Sequence, residues 1–311
     1  MSPDELTLPP EAPLTADAPP PAKQPRGIAP IWHTVVLVIG ILAFSIWGSM
    51  RADTGDLNPL APVHGGNHAA TGADRVRLIR YGLTGALELV IVAWVALGLR
   101  LRKTPFRSIF GRWPRDLNTF TMEAGVALLF WIASMAVLAT LALSWNAVET
   151  KIYDHQVKSQ SHNPSQPSSP ADKPKSPLEK QSEMAKQLMD LAPANGLELA
   201  AWGALCLVVG FSEELVFRGY LQSQGISIMH RIPIAILFSS LVFGAAHGYE
   251  GVRGICIITV YGALFSGLTL LRRNLFPGML AHSWHDFATG LFLAFLRSSH
   301  ILEHLPLSKP N

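Results

Sequence analysis

Residues 211–218 read Phe-Ser-Glu-Glu-Leu-Val-Phe-Arg and follow the largely apolar stretch 197–209. Two carboxylates and a guanidinium therefore sit where a membrane helix would be. A charge at membrane depth costs several kcal/mol unless it faces a partner or a hydrated cavity. Glu213, Glu214 and Arg218 thus read as a functional site inside a helical bundle. Two later apolar stretches carry groups able to meet them. One holds His247, in Phe-Gly-Ala-Ala-His at 243–247. The other holds His282, His285 and Asp286, in His-Ser-Trp-His-Asp at 282–286. The interior of 252–271 offers only Thr259, Tyr261 and Ser266.

Helical spacing sorts these groups. Glu214 and Arg218 are four residues apart, so they share a face, with the acid first as an ion pair prefers. Glu213 is rotated about 100° from Glu214, which makes it the better candidate for a reactive carboxylate, with Glu214–Arg218 as a supporting pair. His282 and Asp286 share a face in the same way, His285 lies on another, and Phe243 packs one turn below His247. At about 1.5 Å per residue, Glu213 lies roughly 16 Å from Gln224, His247 roughly 24 Å from Arg231 and His282 roughly 14 Å from Arg273. Those depths permit all three to meet near the middle of a bilayer. A glutamate beside histidines in a hydrated pocket can deprotonate water near neutral pH, with or without a histidine-bound metal. The remaining His and Asp can hold a metal or stabilise a developing oxyanion. That chemistry is hydrolysis of a peptide bond.

The elements that must position these residues follow from composition. Of 311 residues, 49% are hydrophobic and 15% charged, against about 25% charged in average soluble domains. Apolar stretches at 31–50, 81–99, 121–145, 197–224, 232–249, 252–271 and 275–296 read as membrane spans. The fold class is all-α: a polytopic membrane protein of about seven transmembrane helices with a four-helix catalytic core, since lipid obliges backbone groups to be satisfied within each helix. Residues 1–30 are a disordered Pro/Ala-rich tail, 31–145 three N-terminal spans, 146–196 a polar loop, 197–297 the catalytic core and 298–311 a tail. Within the loop, residues 177–191 have the composition of a short helix, either interfacial or a solvated arm. The net charge of +3 gives no reason to expect nucleic acid as a partner. Cys206 and Cys256 read as buried small hydrophobes rather than a disulfide. Basic residues at 100–115 and at Arg272 and Arg273 place those loops in the cytoplasm, with the N-terminus inside and the 150–192 insert outside. Arg75, Arg77 and Arg80 then fall on the unfavoured side.

Three motifs in order, Glu-Glu-x-x-x-Arg at Glu213, Glu214 and Arg218, Phe-x-x-x-His at Phe243 and His247, and His-x-x-x-Asp at His282 and Asp286, resemble those of the CPBP family. These are the CAAX-prenyl-protease-like and Abi intramembrane proteases. Each motif is weak alone; three in order on separate spans are specific. The resemblance covers roughly residues 197–296. It implies a glutamate-dependent endopeptidase of the cell membrane acting on membrane-associated protein or peptide substrates. In it Glu213 activates water with help from His247, His282 and Asp286 complete the site, and Glu214 and Arg218 support it. It also implies either a divalent metal, zinc by its ligand types, held by Glu213, His247 and His282, or catalysis by glutamate without metal.

Two other classes compete. A non-catalytic scaffold or bacteriocin-immunity-type protein could use the same fold, with the polar core only shaping an interface. Its biological phenotype would survive Glu213→Gln. A proton-coupled transporter could also use buried Glu and His, but no inverted repeat or pair of interrupted spans is visible; a proton flux abolished by Glu213→Gln would identify it. Glu88, in the second span, is either an accessory to the site or a residue snorkelling to the span's edge. His300 and His304 read as a surface pair, His285 as structural, and Gly244, Gly248, Gly251 and Gly254 as sites of close helix contact.

Overall fold

A computed structural model describes residues 27–52, 70–161 and 174–299. Of the tail expected to be disordered over 1–30, residues 1–26 lie outside the described residues, as does the pair His300 and His304; residues 27–30 are ordered instead, because Ala29 is buried and its N–H donates to Gln224 Oε1 at 3.1 Å. The described chain is helical: α1 (Ile31–Ala52), α2 (Ala70–Leu101), α3 (Leu117–Ser161), α4 (Pro177–Met189), α5 (Gly196–Glu213), α6 (Ser223–Met229), α7 (Ile232–Ala246), α8 (Gly251–Arg272) and α9 (Phe276–Ser298). No strand occurs among the described residues; an isolated bridge joins Gly111 to Asn274.

Five segments are long and apolar enough to cross a membrane: Ile31–Met50, Arg75–Leu101, Leu117–Ser159, Gly196–Met229 and Gly248–Arg272. The expected fifth span, α7, has only 15 residues, or roughly 22 Å at 1.5 Å each, short of a hydrocarbon core about 30 Å thick. It ends where His247 leaves helical geometry, and a 3₁₀ turn (Gly248–Glu250) follows. Gly251, at φ 73°, turns the chain into α8 in a conformation that costs glycine little. The expected seventh span, α9, has 23 residues, but His282, His285 and Asp286 interrupt its apolar surface. Among the described residues, then, five segments qualify as spans on length and composition alone, and α7 is a shorter apolar helix.

Two boundaries differ from expectation. α3 is 45 residues long and continues to Ser161, through what reads as the start of the polar loop. Residues 146–161 contain no glycine or proline, and the first breaker is Pro164, so nothing stops the helix earlier. The expected fourth span is not one uniform helix. From Glu214 to Gln222 the backbone winds as a wider π-helix, which is buried at every residue. π-Helical turns are rare and recur at functional sites.

The core follows from close approaches. A Cβ on Gly210 would collide with Ser283 Oγ and stand 2.7 Å from Ser283 N, so α5 and α9 touch at backbone distance. On Gly244 it would collide with Thr259 Oγ1 and stand 2.6 Å from Ile255 O, which brings α7 against α8. Small residues at such crossings are how membrane helices associate without a hydrophobic driving force. α4 is tied to its neighbours. Ser176 and Glu179 form its capping box, Gln181 hydrogen-bonds Asn146 of α3, and Arg297 of α9 donates to the carbonyls of Met189, Ala192 and Pro193 at its far end. Cys206 is buried, whereas Cys256 is exposed on the bundle, a surface that lipid would still keep apolar.

Candidate active site

Glu214 and Arg218 form the floor of the site. Their side chains are 0% and 1% exposed and pair at 3.0 Å. The pairing at four residues persists although the backbone there is π-helical. The guanidinium carbon lies 4.2 Å from the Phe243 ring centroid and 5.0 Å from that of Phe265, and Arg218 Nη2 donates to the Gly262 carbonyl at 3.3 Å. A cation thus enters an apolar bundle through one carboxylate, one carbonyl and two ring faces, each of which stabilises it. This gives the Phe of Phe-x-x-x-His a physical role, because Phe243 is a wall of the arginine's pocket.

His282 joins the floor to the cavity above. Its Nδ1 lies 3.0 Å from Glu214 Oε1. Its Nε2 lies 3.4 Å from Glu213 Oε2 and 3.8 Å from Asp286 Oδ2. Each ring nitrogen faces carboxylate oxygen, and carboxylates accept, so the geometry suits two N–H donors on one ring. The Nδ1 contact is a good hydrogen bond, whereas those of Nε2 are longer than one. His247 is held differently. Its Nδ1 lies 3.0 Å from the Phe243 carbonyl, which can only accept, so Nδ1 carries the hydrogen and leaves Nε2 free to accept.

Glu213, His247, His282, His285 and Asp286 all line one cavity of about 450 Å³. A second cavity of about 460 Å³ runs between α1 and α2, lined by apolar groups such as Val36, Ile41, Val90 and Val216. Glu213 and His247 border both. The Glu213 side chain is 15% exposed, more than either member of the floor pair. The structure therefore brings Glu213, His247, His282 and Asp286 to one cavity and leaves Glu214 and Arg218 beneath it. His285 packs edge-on to Tyr261.

The three residues expected to hold a metal are less well gathered. Among the described residues no group of three His, Cys, Asp or Glu side chains is arranged to hold a metal ion. His282 has committed Nδ1 to Glu214 and turned Nε2 toward two carboxylates. In this arrangement Glu213, His247 and His282 do not fit a metal, and no step below runs through one.

Sequence reasoning did not find two contributors. Tyr249 and Glu250 line the cavity from the turn after α7, and only the loss of helix at His247 could have pointed to them. Glu88, weighed from the sequence as an accessory or a snorkelling residue, lines both cavities. Arg77, on the side where cations are unfavoured, pairs with buried Glu198 at 2.8 Å, which accounts for its place.

Residues 195–288 match the family model described as type II CAAX prenyl endopeptidase Rce1-like. The match runs from the cap of α5 past Asp286 and leaves α1–α4 outside. No curated protein and no solved structure matches the chain.

Proposed function

We propose that this chain is an intramembrane endopeptidase of the CAAX-protease type, which uses Glu213 to hydrolyse peptide bonds of membrane-associated proteins or peptides in the cytoplasmic membrane of a prokaryote. The observation that carries the reading is the position of Glu213, which borders two cavities together with His247 and stands 3.4 Å from His282. The family match is to proteases and supports hydrolysis in general.

The geometry supports a direct sequence of steps. A water between Glu213 and the free Nε2 of His247 gives a proton to the Glu213 carboxylate, and its oxygen adds to the peptide carbonyl. The His282 Nε2–H is held only loosely by Glu213 and Asp286, so it can donate to the developing oxyanion. Nδ1 stays on Glu214, which Arg218 fixes in turn. The C–N bond then breaks as Glu213 returns its proton to the leaving nitrogen. This sequence of steps uses no metal, and metal analysis beside chelation tests it. Activity lost to a chelator and restored by zinc would assign a metal to the site.

The test is cleavage of membrane peptides by purified protein in detergent or vesicles. Removing a positioned acid or base costs about 10²–10⁴ in rate, so Glu213→Gln is expected to lower kcat at least 100-fold with folding intact. Full activity in both Glu213→Gln and His247→Ala would overturn the proposal. A cellular phenotype that survives Glu213→Gln would favour the scaffold reading.

A further inference from the structure

Glu88 lies in the middle of α2, outside the matched segment, and the steps above do not use it. It lines both cavities, as do Glu213, His247 and Tyr249, so it stands where the polar cavity and the apolar one join. It makes no hydrogen bond or ion pair with any described residue, although its carboxyl is within electrostatic reach of Glu213, His282 and Asp286. Three buried carboxylates among the described residues are tied instead. Glu214 has Arg218 and His282, Glu123 has Arg272 and Asn274, and Glu198 has Arg77. A carboxyl in a membrane helix without such a partner costs several kcal/mol and marks function. Snorkelling does not account for it, because the side chain lines the junction of two internal cavities.

We propose that Glu88 is a further catalytic residue, which meets the substrate from the α2 side and accepts a hydrogen bond from the nitrogen that leaves. Peptide hydrolysis turns a neutral amide N–H into an amine that is protonated near neutral pH. A carboxylate facing that nitrogen is held more strongly as positive charge develops, so it favours the transition state over the bound substrate. Glu213 supplies the proton that the leaving nitrogen gains, and Glu88 would accept a hydrogen bond from the N–H that nitrogen already carries. The assignment rests on the endopeptidase reading.

The experiment separates nitrogen from oxygen as leaving atom. An internally quenched peptide that the wild type cleaves is compared with its depsipeptide, in which an ester replaces the scissile amide. Glu88→Gln keeps the shape and loses the charge, and Glu88→Asp keeps the charge. For the amide, Glu88→Gln is expected to lower kcat about tenfold or more with KM changed less than about twofold, the pattern of an interaction made in the transition state. Glu88→Asp retains more activity. For the ester, which has no leaving nitrogen, Glu88→Gln stays within about twofold of wild type. Equal losses on both substrates, or none on either, would overturn the assignment while leaving the endopeptidase reading in place. A wild type that cleaves no peptide, or a Glu213→Gln variant that cleaves as well as wild type, would overturn that reading, and this one with it. The thermal midpoint of each variant shows whether the chain folds, and an unfolded Glu88→Gln transfers the comparison to Glu88→Asp.

Discussion

Glu213 and Glu214 are neighbours in sequence with opposite duties, and burial separates them. Glu214 is fully buried and tied to both Arg218 and His282, so changing it or its partner strands an ion in the core. Arg218→Ala leaves the Glu214 carboxylate without its guanidinium between Phe243 and Phe265. Breaking a buried pair from one side costs about 3–5 kcal/mol, and a matching loss of stability in denaturant titrations of the detergent-solubilised protein is expected. Arg218→Lys should recover little, because an ammonium can neither stack on two rings nor fork between Glu214 and the Gly262 carbonyl. Glu213→Gln leaves no such orphan, so it should unfold with the wild type and lose only activity. An Arg218→Ala protein as stable as wild type would show that the pair carries no load in the fold. The pair itself was legible from its spacing of four. The two rings and the link from Glu214 to His282 were not, since both depend on which faces of separate helices meet.

At the scale of elements, close contacts set how accurately α5 and α9 hold Glu213 against His282. A methyl at Gly210 collides with both the Ser283 hydroxyl and its backbone nitrogen. Gly210→Ala must therefore push α5 from α9, at a cost of about 1–3 kcal/mol typical of overpacking. Activity should fall more than stability does, because Glu213 lies less than one turn from the contact. Adding Ser283→Ala relieves only the hydroxyl, so kcat should recover only in part; full recovery would place the strain in the side chain alone. The end of α4 is a separate case and responds to pH. The Ser176 backbone N–H holds the Glu179 carboxyl below its ordinary value of 4.5. A carboxyl lowered by folding contributes above its ordinary value and loses that contribution as pH falls through the lowered one. Protection of the Ser176 and Glu179 amides from exchange, corrected for intrinsic rates, should thus be constant from neutral pH to about 5 and decline below 4.5; a flat profile to pH 3 would mean that the box does not hold the first turn. Sequence gave this helix nearly to the residue, because its cap is local chemistry. It missed the π-helical turn and the C-terminal third of α3, because the first is set by neighbours and the second by the absence of any stop signal.

The whole molecule has two chemically distinct ends. At one, Thr104 Oγ1 donates to the Ile28 carbonyl at 2.8 Å, Leu275 N to the Phe110 carbonyl at 3.0 Å, and Gln224 to the Ala29 carbonyl. This gathers the start of α1, the 102–116 loop and the α8–α9 turn, with Arg102, Lys103, Arg107, Arg112 and Arg273. At the other end Arg77 is bound to Glu198 and Arg297 to the carbonyls that end α4. Arg77 and Arg297 are thus held for local reasons, and the positive-inside rule then predicts the basic end on the cytoplasmic side. The cavity holding Glu213 extends to Leu188 and Leu191 beside that second end, which orientation would place toward the outside. In a background with Cys206→Ala and Cys256→Ala, Ser108→Cys should react with a membrane-impermeant maleimide only in inside-out vesicles. Glu183→Cys should react only in right-side-out ones, both positions being exposed. The opposite pattern would invert the molecule and draw the water for hydrolysis from the cytoplasm. Labelling of both positions from one side would separate α4 from the end of the bundle where Arg297 holds it.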